Sequence, residues 1–340
     1  ARRWPVFASG AARSGLNPCG EIYLKSKQFC NLSEVVARSE DTEEDLMDKV
    51  RVATILGTYQ ATLTNFPYLS KEWRENCEEE RLLGVSITGQ WDCPALHNPH
   101  TMKKLREVAL ETNKKYARRF GINESTAITC VKPSGNGSQL FDSASGCHPR
   151  YAKYYIRRVR IESHNPLFKM LKDVGYPYHP EIGQPVDAAT TYVLEFPIKA
   201  PKGAITREEV SAFRQLEYWK MLKENYTEHN PSVTVQVDDT EWIKVANWVY
   251  ENWDIVGGIS FLPKDGHVYK LAPYEEITEE HYDMMVETLP DIDFAKIVLY
   301  EYDDSTTGSK ELACVAGTCE IEIPAVPQTH SGGSAQNEKK

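Results

Sequence analysis

Hydrophobic and polar positions along the 340-residue chain follow two periods, one typical of strands and one typical of helices. Short apolar runs at residues 81–89 and 125–131 predict buried strands. Apolar residues recur every three or four positions over residues 101–120, and Gly121 ends this predicted helix. Because strand and helix patterns interleave along most of the chain, we expect an α/β fold with largely parallel strands.

Capping residues and shorter patterns predict the other elements. Thr42 and Asp45 fit a helix capping box, and apolar positions keep helical spacing from there to about residue 65. Residues 1–26 are rich in small residues and predict a loop, and residues 303–340 predict a flexible tail. The other predicted strands are 28–36, 154–161, 190–196, 232–237, 259–262 and 296–302, and the other predicted helices are 166–174, 206–226, 240–252 and 278–288.

Composition and charge exclude several classes of protein. A formal net charge of −10 argues against a broad contact with nucleic acid or with an anionic membrane. No apolar run approaches the ~20 residues of a bilayer span, and the N-terminus lacks a secretory signal. Eight dispersed cysteines favour a reducing cytoplasm over a disulfide scaffold. Because the chain begins at Ala1 and not at methionine, we expect a processed or partial polypeptide.

The first candidate for chemistry is the pentapeptide Asn17-Pro18-Cys19-Gly20-Glu21. Pro18 and Gly20 favour a loop over a helix or strand. In a pocket, Cys19 would lie at the tip of this loop, and Asn17 and Glu21 could hydrogen-bond a hydroxylated ligand. An ordinary turn with a chance cysteine is the alternative interpretation.

The other cysteines are open to more than one interpretation. Cys30 follows Cys19 by eleven residues on a predicted strand, where a cysteine is usually a small apolar residue. Cys314 and Cys319 lie near the C-terminus and could form a mobile dithiol that exchanges with an external reductant. Half of a metal site is the alternative for this pair, although zinc would need four ligands. We interpret the remaining four as structural: Cys77, Cys93, Cys130 and Cys147.

A Gly- and Ser-rich turn, KPSGNGSQ at residues 132–139, follows a predicted strand. Its backbone N–H groups and the N-terminus of a following helix would favour phosphate. The spacing is not that of a Walker A loop, and a plain tight β–α turn is the alternative. On the next predicted strand we interpret Arg157, Arg158 and Arg160 as solvated or paired with carboxylates.

Together these residues resemble the ribonucleotide reductases, in particular the monomeric adenosylcobalamin-dependent (class II) branch. The resemblance extends from about residue 15 to about residue 321. Pro18 before the loop cysteine favours this branch over the di-iron class, and the tail lacks the glycine motif of glycyl-radical enzymes. The resemblance is carried by NPCGEI at 17–22, FCNLSEV at 29–35, VKPSGNGSQL at 131–140, YYIRRVRI at 154–161, NPSVTV at 230–235, GISFLP at 258–263, APYEEIT at 272–278 and the final cysteine pair.

The resemblance implies an architecture and a set of catalytic roles. Residues 1–302 would be the C-terminal part of a ten-stranded α/β barrel, with a finger loop at 13–26 through its middle. Cys19 would carry the thiyl radical that abstracts the 3′ hydrogen of the ribose. Glu21 would be the general base on the 3′ hydroxyl, and Asn17 would bind the sugar. Cys30 would be one member of the dithiol that supplies the reducing electrons.

The resemblance also implies the remaining site residues. Cys314 and Cys319, on a redox tail at 303–340, would re-reduce the active-site dithiol. The loop that holds the substrate phosphates would consist of Ser134, Gly135, Asn136, Gly137, Ser138 and Gln139.

The cofactor and partners are likewise implications of the resemblance. The cofactor would be adenosylcobalamin, and the external reductant would be a thioredoxin-type protein. The substrate would be a ribonucleotide, and the resemblance to the monomeric branch favours triphosphates over diphosphates. The partner of Cys30 would lie in an N-terminal half that this chain does not contain, so we expect the enzyme to be complete only with that half. The alternatives are a large-subunit fragment of another reductase class and an inactive half-barrel that binds nucleotides.

Overall fold

The computed structural model describes residues 14–185, 188–264 and 270–301. The predictions for the tail at 303–340, including Cys314 and Cys319, lie outside these residues. The strands are β1 (Ser14–Leu16), β2 (Tyr23–Lys25), β3 (Asn31–Val36), β4 (Leu83–Thr88), β5 (Tyr154–Glu162), β6 (Tyr178–Pro180), β7 (Thr191–Lys199), β8 (Val233–Val237), β9 (Ile259–Pro263) and β10 (Tyr274–Glu276). The α-helices are α1 (Glu43–Gln60), α2 (Lys71–Glu80), α3 (Pro99–Phe120), α4 (Gly137–Leu140), α5 (Pro166–Asp173), α6 (Ala212–Asn225), α7 (Trp242–Glu251) and α8 (Glu279–Thr288).

Five segments run parallel and side by side, as the interleaved sequence pattern predicts. Strand β3 pairs with β4, and β8 pairs with β9, both in parallel. Between them lies the predicted strand 125–131, which joins β4 through a parallel bridge of Val85 with Thr129. A second parallel bridge, of Val131 with Pro231, joins it to the start of β8. The order is therefore β3, β4, residues 127–131, β8 and β9, with helices as the connections.

Helices cover one face of these parallel strands. Thr42 caps α1 through the predicted capping box with Asp45, and Gly121, with a φ of +70°, ends α3. Helices α1, α3 and α6 supply much of a large buried core together with residues of β3, β4 and β8. Trp219 of α6 is fully buried there, and its indole N–H donates to the Pro231 carbonyl (2.6 Å). This packing holds the strands that carry the candidate site.

The second sheet differs from the prediction of largely parallel strands. It is antiparallel throughout, in the order β10-β5-β7-β6. Two of its strands, β6 and β10, are each only three residues long and were not predicted. Helix α5 connects β5 to β6, and β7 lies between these two strands in the sheet. A strand–helix–strand pattern does not fix which strands are neighbours, so the sequence predicted β5 and β7 but not the pairing in this sheet. Phe168 of α5 stacks on Tyr192 of β7 in the core of this sheet.

Three other predictions need correction. The predicted strand 296–302 is a 3₁₀ helix at Phe294–Leu299, which Asp293 caps by accepting from the Ala295 N–H (3.1 Å). The predicted helix 206–226 is broken into a short 3₁₀ turn and α6. The predicted loop at 1–26 contains an antiparallel hairpin of β1 and β2 within its described part. None of the described helices is both long and apolar enough to cross a bilayer.

Candidate active site

The pentapeptide with Cys19 lies in the turn of the β1–β2 hairpin. The turn is closed by its own backbone, because the Asn17 N–H donates to the Ile22 carbonyl (3.1 Å) and the Gly20 N–H to the Asn17 carbonyl (2.9 Å). The Asn17 side-chain oxygen accepts from the Ile22 N–H at 3.0 Å. Gly20 has a φ of +77°, which suits glycine. The Cys19 side chain is exposed at this turn.

The turn rests on the residues around the starts of β8 and β9. The Ser232 hydroxyl donates to the Cys19 carbonyl at 2.7 Å, and the Asn230 N–H donates to the Glu21 carbonyl at 3.0 Å. The Asn230 side-chain amide donates to the Gly20 carbonyl (3.0 Å) and weakly to the Gly258 carbonyl (3.4 Å). Backbone approaches backbone here, since a β-carbon at Gly258 would lie 2.9 Å from the Gly20 oxygen. These contacts fix where the main chain of Cys19 lies.

A partly buried lysine sets the orientation of the Asn230 amide. The Lys223 ammonium donates to the Asn230 side-chain oxygen (3.1 Å) and to the His229 carbonyl (3.0 Å). Because that oxygen is occupied by a donor, the Asn230 NH₂ group must be the end that faces the turn. Burial lowers the pKa of Lys223 to about 8. Sequence reasoning missed Asn230, Ser232 and Lys223, although the first two lie in the motif NPSVTV.

Glu21 and Cys30 lie close together below the turn. Glu21 is 1% exposed, and its Oε2 atom has no hydrogen-bond partner among the described residues. The pKa of the Cys30 thiol is raised first by burial, then by the negative charge of Glu21 and by Cys77. The structure thus brings together two of the predicted site residues, which lie nine positions apart in the chain. A buried carboxylate with an unused oxygen is costly unless a ligand completes it.

Cys130 and Glu34 extend this buried cluster. The pKa of Cys130 is raised by burial and then by the charges of Cys30 and Glu21, with Glu34 contributing less. A β-carbon at Gly84 would lie 3.1 Å from the Cys130 sulfur, 3.1 Å from Ile22 Cδ1 and 2.4 Å from Leu32 Cδ2. The hairpin therefore packs over Gly84 on the strand face opposite the helices. Cys130, which sequence reasoning interpreted as structural, is fully buried within the candidate site.

The predicted phosphate loop is compact and largely closed by its own hydrogen bonds. Ser134 has a φ of +51°, and its hydroxyl and carbonyl accept from the Ser138 N–H at 3.1 and 3.4 Å. The helix that follows the loop, α4, has only four residues, which is little more than one turn. Gly137 faces Glu34, whose Oε2 would lie 2.8 Å from a β-carbon there. The loop therefore adjoins the buried cluster through Glu34, four residues after Cys30.

The three arginines of β5 differ from one another. Arg158 pairs with Glu195 at 2.6 Å and with Glu275 at 2.7 Å, and Arg160 pairs with Glu181, as expected. Arg157 is neither solvated nor paired with a carboxylate in the described part of the chain, which contradicts the interpretation made from sequence. Its Nη2 donates instead to the side-chain oxygen of Asn136, in the predicted phosphate loop, at 3.3 Å.

Comparison with known proteins agrees with the resemblance seen in the sequence. No family model matches the chain. An adenosylcobalamin-dependent ribonucleoside-triphosphate reductase of Lactobacillus delbrueckii subsp. bulgaricus is 29% identical over 303 residues, covering 79% of this chain and 40% of the relative. The protein of the same name from Euglena gracilis is also 29% identical, over 79% of this chain and 37% of its own length. The chain thus spans about two fifths of the curated relatives it matches.

A solved structure shares this architecture. A B12-dependent (class II) ribonucleotide reductase superposes with a TM-score of 0.68 and 26% identity, over 85% of this chain and 44% of that one. Both kinds of comparison confirm the resemblance to the adenosylcobalamin-dependent ribonucleotide reductases, and the α/β class of the fold agrees with it.

Proposed function

We propose that this chain is the C-terminal part of the catalytic barrel of an adenosylcobalamin-dependent ribonucleoside-triphosphate reductase. The completed enzyme would reduce ribonucleoside triphosphates to 2′-deoxyribonucleotides in the cytoplasm. One observation supports the proposal more than the others: Glu21 is buried beside Cys30, at the base of the turn that exposes Cys19. One of its carboxylate oxygens accepts no hydrogen bond from any described residue. A carboxylate with an unsatisfied oxygen can remove a proton from a sugar hydroxyl, and the nearby thiol of Cys30 can supply reducing electrons.

The proposed chemistry divides among these residues. Cys19, as a thiyl radical, takes the 3′ hydrogen atom of the ribose and returns it at the end. Glu21 takes the 3′ hydroxyl proton while the 2′ hydroxyl leaves as water. The Asn17 oxygen already accepts from the Ile22 N–H, so its NH₂ group is the part that would donate to the sugar. Overall, one ribonucleotide and two thiols give one deoxyribonucleotide, one disulfide and one water, and Cys30 supplies one of the thiols.

The residues around Cys19 fit a large cofactor. The Cys19 side chain is exposed, and Leu16, three residues before it, is 45% exposed and offers apolar surface. These two residues would face adenosylcobalamin, which when bound supplies the radical. Within the described ranges no three His, Cys, Asp or Glu side chains are grouped to hold a metal ion. The chain's part is to hold Cys19 in place, through Ser232 and Asn230.

The strand order supports completion by an N-terminal half. The five parallel segments are half of the ten strands that the resemblance implies, and β3 and β9 have no further strand partner among the described residues. An edge strand presents a row of unpaired backbone N–H and C=O groups, which proteins usually cover or pair with another strand. We propose that strands of the N-terminal half pair with β3 and β9, and that this half also supplies the second thiol beside Cys30.

Reconstitution tests the proposed function directly. The chain is combined with the N-terminal part of a class II reductase, a ribonucleoside triphosphate, adenosylcobalamin and a dithiol reductant, and 2′-deoxyribonucleotide is measured by chromatography. We expect product only when both polypeptides and the cofactor are present. Product formed at the same rate without adenosylcobalamin would favour another reductase class, and binding of nucleotide without any product would favour the inactive half-barrel.

The tail cysteines give a second, independent prediction. Cys314→Ser and Cys319→Ser should each stop turnover with thioredoxin and leave turnover with dithiothreitol near the wild-type rate. The reason is that a small dithiol can reach the active-site disulfide directly, whereas a protein needs a tethered shuttle. The measurement is the rate of product formation with each reductant in the reconstituted enzyme. Equal loss with both reductants would assign the pair a structural role instead.

A further inference from the structure

Arg157 is a buried cation that forms no ion pair with a carboxylate in the part of the chain that the structure describes. Four arginines in the described chain are less than 10% exposed: Arg81, Arg150, Arg157 and Arg158. Arg150 pairs with Asp92 and Asp142, Arg158 with Glu195 and Glu275, and Arg81 lies 4.0 Å from Glu78. Arg157, 4% exposed, has no carboxylate partner among the described residues. A buried charge is normally paired, so this exception calls for a ligand.

The groups that do contact Arg157 are all neutral. Nη1 donates to the Pro273 carbonyl at 3.2 Å, and Nη2 donates to the Asn136 side-chain oxygen at 3.3 Å. The guanidinium lies over the Tyr274 ring, 4.5 Å from its centroid, while Nε is buried without a partner. These contacts hold the guanidinium in one place but leave both its charge and one of its N–H groups uncompensated. Arginine in such a setting matches a phosphate or carboxylate group.

The space for an anion lies on one side of the loop. A β-carbon at Gly135 would have no atom within 4 Å, whereas one at Gly137 would clash with Glu34. The open side therefore adjoins Asn136, which Arg157 contacts, and the carboxylate of Glu34 faces the loop at Gly137. We propose that Arg157, with the backbone at Gly135 and Asn136, forms the subsite for the polyphosphate group of the substrate. This inference rests on the proposed function and adds to it Arg157 as the cation that would bind the substrate phosphates.

Binding of inorganic tripolyphosphate to the whole chain tests the subsite without any turnover. Isothermal titration calorimetry should show saturable binding to the wild type that weakens as salt is raised. Arg157→Gln should weaken this binding by about tenfold or more, because a charge-assisted hydrogen-bond pair is lost. Arg157→Lys keeps the charge but loses the paired N–H donors of the guanidinium, so it should bind tripolyphosphate with intermediate affinity. Glu34→Gln should bind more tightly than the wild type, because a repulsive charge is removed.

Arg160→Gln is the matched control. Arg160 lies three residues further on β5 and pairs with Glu181, so its loss removes the same charge from the same strand away from the loop. Its affinity for tripolyphosphate should stay within about twofold of the wild type, since a distant surface charge is screened by salt. Equal affinities in wild type and Arg157→Gln, equal losses in both glutamine variants, or no binding to the wild type would each overturn the subsite. Circular dichroism and thermal melting confirm that each variant is folded.

The two proposals can fail separately. Tripolyphosphate binding that depends on Arg157, with no deoxyribonucleotide formed on reconstitution, would keep the anion subsite and reject the reductase function. Deoxyribonucleotide formation with an unchanged KM in Arg157→Gln would keep the function and reject the subsite. If both proposals are correct, Arg157→Gln raises KM for the triphosphate more than it lowers kcat.

Discussion

Replacement of Cys19 by alanine is expected to abolish ribonucleotide reduction in the reconstituted enzyme, with a loss on the order of a thousandfold or more. No other group in the turn can carry a radical to the 3′ carbon, because its neighbours are an amide, a proline, a glycine and a carboxylate. The contact that fixes the turn uses the Cys19 carbonyl, which alanine retains. The melting temperature and the affinity for nucleotide should therefore stay close to the wild-type values. The measurement is product formation over hours, with nucleotide binding by equilibrium dialysis alongside.

Cys93→Ala is the control for removal of a cysteine as such. Cys93 is fully buried in the core under the helices, so this variant should lose stability through a small cavity and yet turn over at a permissive temperature. The radical assignment is wrong if Cys19→Ala turns over normally. It is also wrong if Cys93→Ala, correctly folded, is as inactive as Cys19→Ala.

Helices α1 and α3, which pack against the parallel strands, were predictable because nearby residues in the sequence determine where they begin or end. The capping box at Thr42 and the glycine at 121 are signals that need no distant partner. The start of α1 and the end of α3 therefore lie within a few residues of the prediction. Helix α2 carries no such signal: its sequence is KEWRENCEEE, with only Cys77 and Glu80 buried. The 3₁₀ helix at Phe294–Leu299 was mistaken for a strand because a short apolar run fits either structure.

The sequence predicted several residues of the candidate site but not their positions relative to one another. Cys19, Glu21 and Cys30 followed from motifs of a known family, and the structure adds that Glu21 is buried and interacts with the partly buried Cys30. The contacts that hold the turn could not be predicted from the sequence, because Asn230 and Gly20 lie 210 positions apart in the chain. Sequence spacing carries no information about such contacts. The motifs NPSVTV and YYIRRVRI were the available signal for Asn230 and Arg157, but not for their roles.

Taken with the strand order, these contacts hold the turn at its base and leave Cys19 exposed. The backbone of the turn is bound on one side by groups from the starts of β8 and β9, and Ile22 packs over Gly84 of β4. Glu21, which is buried, and Cys30, which is partly buried, interact beneath it. A radical thiol needs this combination, because it must be held in place against the substrate while its own side chain stays open to the cofactor.

Gly258→Ala should displace the turn and lower kcat by about a hundredfold, because misplacement of a reacting group by about 1 Å can cost that much. A β-carbon at Gly258 would lie 2.9 Å from the Gly20 oxygen and 3.1 Å from the Gly20 α-carbon. Both are backbone atoms, so no side chain can rotate away and the residue next to Cys19 must move. Overpacking of this kind should also lower the free energy of unfolding by about 1–3 kcal/mol. Steady-state kinetics of the reconstituted enzyme and urea unfolding of the chain measure the two effects.

Gly15→Ala separates this effect from a general intolerance of the hairpin to alanine. Gly15 lies in β1 of the same hairpin, and a β-carbon there would meet no atom within 4 Å. Its kcat and stability should match the wild type, while tripolyphosphate affinity should be unchanged in both alanine variants because neither glycine adjoins Arg157. Normal kcat in Gly258→Ala would mean that the approach of Gly20 to Gly258 does not position Cys19. Equal damage from both substitutions would assign the sensitivity to the hairpin as a whole.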